Sequence, residues 1–117
     1  MRADATRLLN LRPEGLFCPE GDFYIDPVRP VARALITHGH SDHARAGHGA
    51  VLASAQTLDI MAIRYGEGFA GTVQAAEGPV TLGGVEVRFH PAGHVLGSCQ
   101  IEMRAGGVNA VVSGDYS

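Results

Sequence analysis

The sequence contains no lysine, so all nine of its basic residues are arginine. Twelve acidic residues oppose them, which gives a formal net charge of −3. Proteins that bind nucleic acid usually carry basic patches, and the net charge of the whole chain does not indicate one. When Asp26, Asp42 and Asp115, three acids that end or follow predicted strands, are set aside, nine acids balance the nine arginines. Charge therefore neither indicates nor excludes a DNA-binding surface.

Cysteine and long apolar runs are also scarce. The two cysteines, Cys18 and Cys99, lie far apart and form no C-x-x-C motif, so we expect free thiols in a reducing cytoplasm. No stretch approaches the roughly 18 uninterrupted apolar residues of a membrane span. Residues 1–15 lack the apolar core of a secretory signal. These absences predict a cytoplasmic protein without membrane association.

The composition is that of a globular chain rich in turns. Its 117 residues are 45% apolar, which is enough for one small domain and too apolar for a disordered segment. The 16 glycines follow no three-residue period, so they exclude collagen and predict many turns.

The order of predicted elements is strands, one main helix and then hairpins. Residues 1–15 are interpreted as a lead-in or an edge strand. Apolar runs predict strands at 23–26, 34–38 and 51–54; helical spacing predicts a helix over 56–65 with Gly66 as its C-cap; and a short helix could start at Ser41 or Asp42. Period-two alternation predicts two hairpins, one around Gly83–Gly84 and one around Gly106–Gly107. This order predicts an α/β domain of the layered α+β kind. Because the chain stops directly after an apolar strand, we expect residues 1–117 to be the first part of a longer domain.

The densest chemical signal is the pattern H-x-H-x-D-H over residues 38–43. His38 and His40 follow an apolar strand two residues apart, so in extended chain their rings point to one side and can converge on one ion. Asp42 and His43 follow where the chain turns, which suits a second ion beside the first. Imidazole with carboxylate suits Zn²⁺, with Mn²⁺ or Fe as alternatives. A purely structural zinc site is less consistent with the pattern, because such sites are usually rich in cysteine.

Two later motifs fit the same centre. His94 lies in a glycine-flanked loop, and Asp115 ends an apolar strand, where a carboxylate can bridge two metals. His90 competes with His94 for the ligand role, but the glycine beside His94 lets the loop backbone approach a site. Asp26, which ends the strand at 23–26, is interpreted as a residue that holds a ligand histidine in place. His48 is interpreted as a surface residue, with a supporting role near the metals as the alternative.

These residues in this order resemble the metal-binding signature of the metallo-β-lactamase fold, an αββα sandwich. Asp26 matches the first motif of that superfamily. The stretch AGHVLGS (92–98) resembles its β-CASP nucleases, which include mRNA 3′-end processing endonucleases. GLFCPEGDFYIDPVRPV followed by ALITHGHSDHA is similar to bacterial DNA ligase-associated exonucleases. The resemblance covers residues 15–117.

The resemblance implies a zinc-dependent hydrolase that cuts phosphodiester bonds at DNA ends during repair, with a DNA ligase and a helicase as partners. It implies one zinc held by His38, His40 and His94, and a second held by Asp42 and His43, with Asp115 bridging. Asp42, His43 and Asp115 are thereby also the expected catalytic residues. A further ligand histidine and the β-CASP cap would lie beyond residue 117, so we expect residues 1–117 alone to be poorly active.

Three alternatives remain open at this point. The first is an RNA-processing nuclease of the same fold, which activity on RNA ends would distinguish. The second is a small-ester or thioester hydrolase with the same metals, which would lack a β-CASP insertion. The third is a non-enzymatic metal-binding module, in which the metals would leave no open position for water.

Overall fold

The computed structural model describes residues 8–39, 44–91 and 99–113 of the chain. Within these ranges the protein is mixed α/β and mostly sheet, with ten strands and one helix. In chain order they are β1 (Asn10–Arg12), β2 (Gly15–Cys18), β3 (Phe23–Ile25), β4 (Arg33–Leu35), β5 (His48–Ala53), α1 (Ala55–Tyr65), β6 (Ala70–Ala75), β7 (Val80–Leu82), β8 (Val85–Pro91), β9 (Cys99–Ala105) and β10 (Val108–Ser113).

The larger sheet has six strands in the order β1-β2-β3-β4-β5-β6. Strands β1, β2 and β3 pair antiparallel, whereas β3 to β6 pair in parallel. The carboxyl ends of the four parallel strands therefore lie at one edge of this sheet. In sheets of this kind that edge is where ligands usually bind.

The smaller sheet is an antiparallel meander in the order β10-β9-β8-β7. Its strands alternate strictly: Ile101 and Met103 of β9 are fully buried, while the residues between them face outward. The outward face carries charged side chains such as Arg88 and Arg104. The outward face is therefore mostly charged on β8 and β9, with Val111 of β10 also exposed on it, and the inward face supplies the core.

Two apolar clusters show how the layers stack. One joins the two sheets, because Leu35 and Leu52 of the larger sheet pack in the same cluster as Val87 and Ile101 of the smaller sheet. The other cluster lies on the opposite face of the larger sheet, where Met61 of α1 packs in the same cluster as residues of β4 and β5. The described residues thus form a layer of helix, a six-stranded sheet and a four-stranded sheet. Residues 34–36 and 51–53 are covered on both faces of this sheet, which explains why each of these stretches is continuously apolar.

Helix α1 has clear signals at both ends. Ser54 is the N-cap, and its side chain accepts a hydrogen bond from the Thr57 backbone N–H at 3.2 Å. Gly66 ends the helix with φ 90°, and its N–H donates to the Ala62 carbonyl. The side chains of Thr57 and Met61, one turn apart, are the fully buried ones.

The predicted strands at 23–26, 34–38 and 51–54, the helix and both hairpins are confirmed in type, with boundaries shifted by one to three residues. The predicted short helix is wrong over its described part, because residues 44–47 form bends before β5. Strand β6 was not predicted. A Cβ on Gly71 would lie 2.4 Å from the Gly49 carbonyl oxygen, so the close approach of β5 and β6 requires glycine, and these glycines obscure the strand pattern.

Candidate functional site

The carboxyl ends of β3 and β4 place Asp26 against Thr37. Asp26 has a left-handed backbone with φ 47°, which ends β3 and which aspartate tolerates better than most residues. One carboxylate oxygen, Oδ1, accepts from the Thr37 N–H at 2.8 Å, and Oδ2 accepts from the Thr37 hydroxyl at 2.6 Å. Asp26 therefore holds both the backbone and the side chain of the residue that precedes His38.

The same hydroxyl selects the tautomer of the neutral His38 ring. Thr37 Oγ1 lies 2.9 Å from His38 Nδ1, and both residues are 1% exposed. A hydroxyl has one proton, and Thr37 donates its proton to Asp26. Oγ1 can therefore only accept from Nδ1–H, which makes Nε2 the nitrogen that carries the lone pair. A histidine in this tautomer is ready to ligate a metal through Nε2.

The second sheet also reaches this edge. The Cys99 backbone N–H, at the start of β9, donates to the Thr37 carbonyl at 2.7 Å. Together with the two contacts to Asp26 and the one to His38, this bond engages every hydrogen-bonding group of Thr37. Burial raises the pKa of the Cys99 thiol, and a hydrogen bond with the Ser54 side chain opposes this effect. The thiol is therefore protonated at neutral pH and is a poor nucleophile.

Of the six predicted metal ligands, His38 is within the described residues. The other five lie outside them: His40, Asp42, His43, His94 and Asp115. Among residues 8–39, 44–91 and 99–113, no three His, Cys, Asp or Glu side chains are grouped so that they could hold a metal ion. Among the predicted ligands, only His38 can therefore be compared with a known kind of metal ligand. Its burial, its fixed ring and the lone pair on Nε2 match those of a ligand histidine, and Asp26 and Thr37 hold the ring in place.

His48 corrects one prediction. It was expected at the surface, but it begins β5 and is 1% exposed. Its Nδ1 accepts from the Val31 N–H at 3.2 Å, while its Nε2 is buried and has no hydrogen-bond partner among the residues that the structure describes. Burial lowers the pKa of this imidazole. The apolar run that predicts this strand begins only at Val51, so no local pattern indicates that the strand starts at His48.

His90, the alternative to His94, lies near the end of β8 on the outward face of the smaller sheet. Its Nε2 lies 2.8 Å from Glu102 Oε1, and its side chain is 49% exposed. This hydrogen bond is the main reason that the pKa of Glu102 is lowered. His90 is thus engaged on the face of the sheet opposite to the buried Cys99.

Several residues at this edge were not identified from the sequence. Thr37 stands immediately before H-x-H, and that position was the one available signal. The sequence analysis treats Cys99 only as a free thiol and Ser54 only as the last residue of a predicted strand. Arg64 and Tyr65 of α1 bind carbonyls on either side of the histidine-rich segment, and nothing in the sequence distinguishes them from other helix residues.

No helix among the described residues is long and apolar enough to cross a membrane.

No family model matches the sequence. A curated relative, the "Probable DNA ligase" of Opitutus terrae (strain DSM 11246 / JCM 15787 / PB90-1), is 34% identical over 110 residues, which corresponds to 87% of this chain and 10% of the relative. The chain therefore spans about a tenth of the length of that relative.

Proposed function

We propose that this chain is part of a metal-dependent phosphodiester hydrolase with the metallo-β-lactamase αββα fold, and that it acts as an exonuclease on DNA ends. The observation that carries the proposal is the hydrogen-bonded series Asp26–Thr37–His38 at the carboxyl edge of the parallel strands. It gives a buried imidazole the tautomer of a metal ligand directly before the rest of the H-x-H-x-D-H pattern.

The layer order supports the finer fold. A helix, a mostly parallel sheet and a second sheet account for three layers of an αββα sandwich. Both sheets reach the proposed site, because the carbonyl of Thr37, which follows the end of β4, accepts from the N–H of Cys99 at the start of β9. Sites between two layers, beyond the strand ends, are common in α/β proteins.

The relative supports the choice of DNA as substrate. Its printed name is a probable DNA ligase, and ligation requires DNA ends with suitable termini. An exonuclease that trims such ends supplies a substrate for ligation. We therefore propose DNA rather than RNA as the substrate, and a ligase as a functional partner.

Hydrolysis without a covalent enzyme intermediate is consistent with the available side chains. The chain has no lysine, which excludes a covalent step on a lysine amine within these 117 residues. Both cysteines are buried, and burial raises the pKa of each thiol. Neither cysteine is thus suited to act as a thiolate nucleophile.

In the proposed site His38 would hold a metal through Nε2, with its ring held by Thr37 and Asp26. His40 and His94 would complete that ligand set, Asp42 and His43 would hold a second metal, and Asp115 would be a ligand of both. Two zinc ions, when bound, would supply an activated water and positive charge beside the phosphoryl oxygens. The hydrogen bond from His38 Nδ1–H to Thr37 keeps the imidazole ring in one orientation, because Thr37 is itself held by Asp26.

The test uses the full-length protein purified without a metal-affinity tag. Elemental analysis should find close to two zinc ions per chain. Labelled linear DNA should be shortened, the chelator EDTA should stop the reaction, and Zn²⁺ or Mn²⁺ should restore it. RNA of the same sequence and a closed circular DNA should be cut far more slowly.

The variants His40→Ala and Asp42→Ala should abolish hydrolysis while the protein stays folded. His90→Ala is the matched control, because that histidine lies on the outward face of the smaller sheet and should leave the rate unchanged. A metal content near zero that added Zn²⁺ or Mn²⁺ does not restore would refute the metal centre. Preference for RNA, or for a thioester, would instead refute the substrate assignment.

A further inference from the structure

The last turn of helix α1 binds the chain on both sides of residues 40–43. Arg64 Nη1 donates to the Gly39 carbonyl at 2.6 Å. The neighbouring Tyr65 hydroxyl donates to the Ala44 carbonyl at 2.8 Å. Both acceptors belong to buried residues, and Ala44 is 0% exposed. Two consecutive helix residues thus hold the two backbone positions that flank a four-residue segment.

A packing contact reinforces the first of these bonds. A Cβ added to Gly39 would lie 2.9 Å from Ile60 Cγ2 and 3.2 Å from Ile60 Cβ, so the Gly39 backbone rests directly on this side chain. Ile60 and Arg64 are one helical turn apart and lie on one face of α1. The guanidinium of Arg64 also lies 5.7 Å from the Tyr65 ring centroid, within the range of a cation–π contact.

These contacts are separate from those that bury the helix. The buried helix side chains are Thr57 and Met61, whereas Tyr65 is 38% exposed. Arg64 and Tyr65 reach from the helix end to carbonyls 25 and 21 residues earlier in the chain. Arginine and tyrosine side chains at the exposed end of a helix commonly extend into solvent. Here both side chains instead contact the backbone on the two sides of residues 40–43.

We propose that Arg64 and Tyr65 are positioning residues for the metal centre; this inference rests on the proposed function. They fix Gly39 and Ala44, and the segment between them carries His40, Asp42 and His43. Anchored ends reduce the conformational freedom that the ligands lose when they bind a metal. Residues that orient ligands in this indirect way typically change metal affinity by about 10- to 100-fold when they are removed.

The experiment compares Tyr65→Phe and Arg64→Gln in the full-length protein, with Ile63→Ala as the control. Ile63 is on the same helix and is 86% exposed. In metal-free protein, hydrogen exchange of a peptide spanning residues 39–44 should be faster in both variants and unchanged in the control. Zinc affinity, measured by competition with a chromophoric chelator, should fall about 10- to 100-fold in the variants only. Arg64→Lys keeps one charged donor and should restore part of the affinity.

The two readouts separate this inference from the proposed function. If the unmodified protein binds no zinc, the proposed metal centre fails, and hydrogen exchange still decides whether the two residues anchor the segment. If both variants bind zinc as tightly and exchange as slowly as Ile63→Ala, the inference is overturned. It is equally overturned if Tyr65→Phe and Arg64→Gln unfold the protein by circular dichroism, because the contacts would then serve the fold and not the site.

Discussion

Thr37 connects Asp26 to His38 through its hydroxyl, and a substitution can remove this hydroxyl with little change in the shape of the side chain. Thr37→Val loses the hydrogen bonds to Asp26 Oδ2 and from His38 Nδ1, whereas Thr37→Ser keeps both. We expect Thr37→Val to weaken zinc binding by about 10- to 100-fold and to lower the free energy of unfolding by about 1–3 kcal/mol. Chelator competition and chemical denaturation measure these two quantities.

Nitrogen-15 NMR of the imidazole rings in metal-free protein gives a third measurement of the same substitution. His38 should show the Nδ1–H tautomer in the unmodified protein and in Thr37→Ser, and should lose this preference in Thr37→Val. Equal zinc affinity of the valine and serine variants would mean that the hydroxyl has no part in preparing the ligand.

We expect His48 to make the free energy of unfolding depend on pH in the mildly acidic range. Burial lowers its pKa in the folded chain below 6.5, so the ring stays neutral there while the unfolded chain takes up a proton. The unfolded state binds more protons below that pH, and stability therefore falls as the pH drops from about 6.5 towards the lowered folded-state pKa. Above about 6.5 this group makes no pH-dependent contribution. Its slope is at most about 1.4 kcal/mol per pH unit.

The variant His48→Asn isolates this effect. Asparagine does not titrate, and its side-chain oxygen can still accept from the Val31 N–H that Nδ1 now binds. Urea unfolding of metal-free protein between pH 5 and 7 should show a shallower pH dependence in the variant, even if its overall stability is lower. Equal slopes for the two proteins would show that the buried ring is not the source of the pH dependence.

At the scale of elements, the packing of α1 against the segment that follows β4 depends on Gly39. Gly39→Ala places a methyl group 2.9 Å from Ile60 Cγ2 and 3.2 Å from Ile60 Cβ. Both atoms lie at the branch point of a side chain that is stiff at χ1, so they have little freedom to move away. Overpacking of this kind costs about 1–3 kcal/mol. Thermal unfolding should therefore show a clear loss for Gly39→Ala, and the loss should shrink when Ile60→Ala makes room in the same chain.

Gly68→Ala is the control for this prediction, because nothing lies within 4 Å of a Cβ at that position. It should change the free energy of unfolding by less than about 0.5 kcal/mol. A loss in Gly39→Ala that Ile60→Ala leaves undiminished would mean that backbone strain, and not contact with the helix, is the cause.

Elements that combine local signals with burial were predictable from the sequence. Helix α1 has a capping serine, a terminal glycine and apolar residues at helical spacing, and the strand at 34–38 is an apolar run because both of its faces are covered. Strand β6 lacks such a pattern, since its central residues are exposed and it is defined by pairing with β5. Pairing between distant segments is a tertiary property that no local window contains.

At the scale of the whole molecule, the sequence identified which residue types could carry the chemistry, but not what holds them. Asp26 and His38 are twelve positions apart, and only the parallel pairing of β3 with β4 brings their surroundings together through Thr37. The bonds from Arg64 and Tyr65 depend on how α1 returns over the sheet, which no spacing in the sequence encodes. The predictions for His40, Asp42, His43, His94 and Asp115 stay predictions, because these residues lie outside the described ranges.

One outer edge of the smaller sheet is strand β10, and its free side is a candidate surface for contact between copies of the chain. Strand β10 pairs with β9 on one side, and no other described strand covers its second side. Its sequence, VNAVVS, has no charged residue, and Val111 is 56% exposed on the outward face. Uncharged edge strands with exposed apolar side chains pair readily with other chains. We therefore expect self-association that grows with protein concentration.

Val111→Lys tests this expectation, because residue 111 lies directly opposite Glu102 in the β9–β10 register. A lysine there adds charge to the edge and faces a carboxylate, so it should suppress association without loss of stability. Val111→Thr removes apolar surface without adding charge and should have an intermediate effect. Sedimentation velocity over a range of concentrations measures the association, and thermal unfolding checks the fold. If the unmodified protein stays monomeric throughout, or if Val111→Lys associates equally, the edge of β10 is not the surface through which copies of this chain meet.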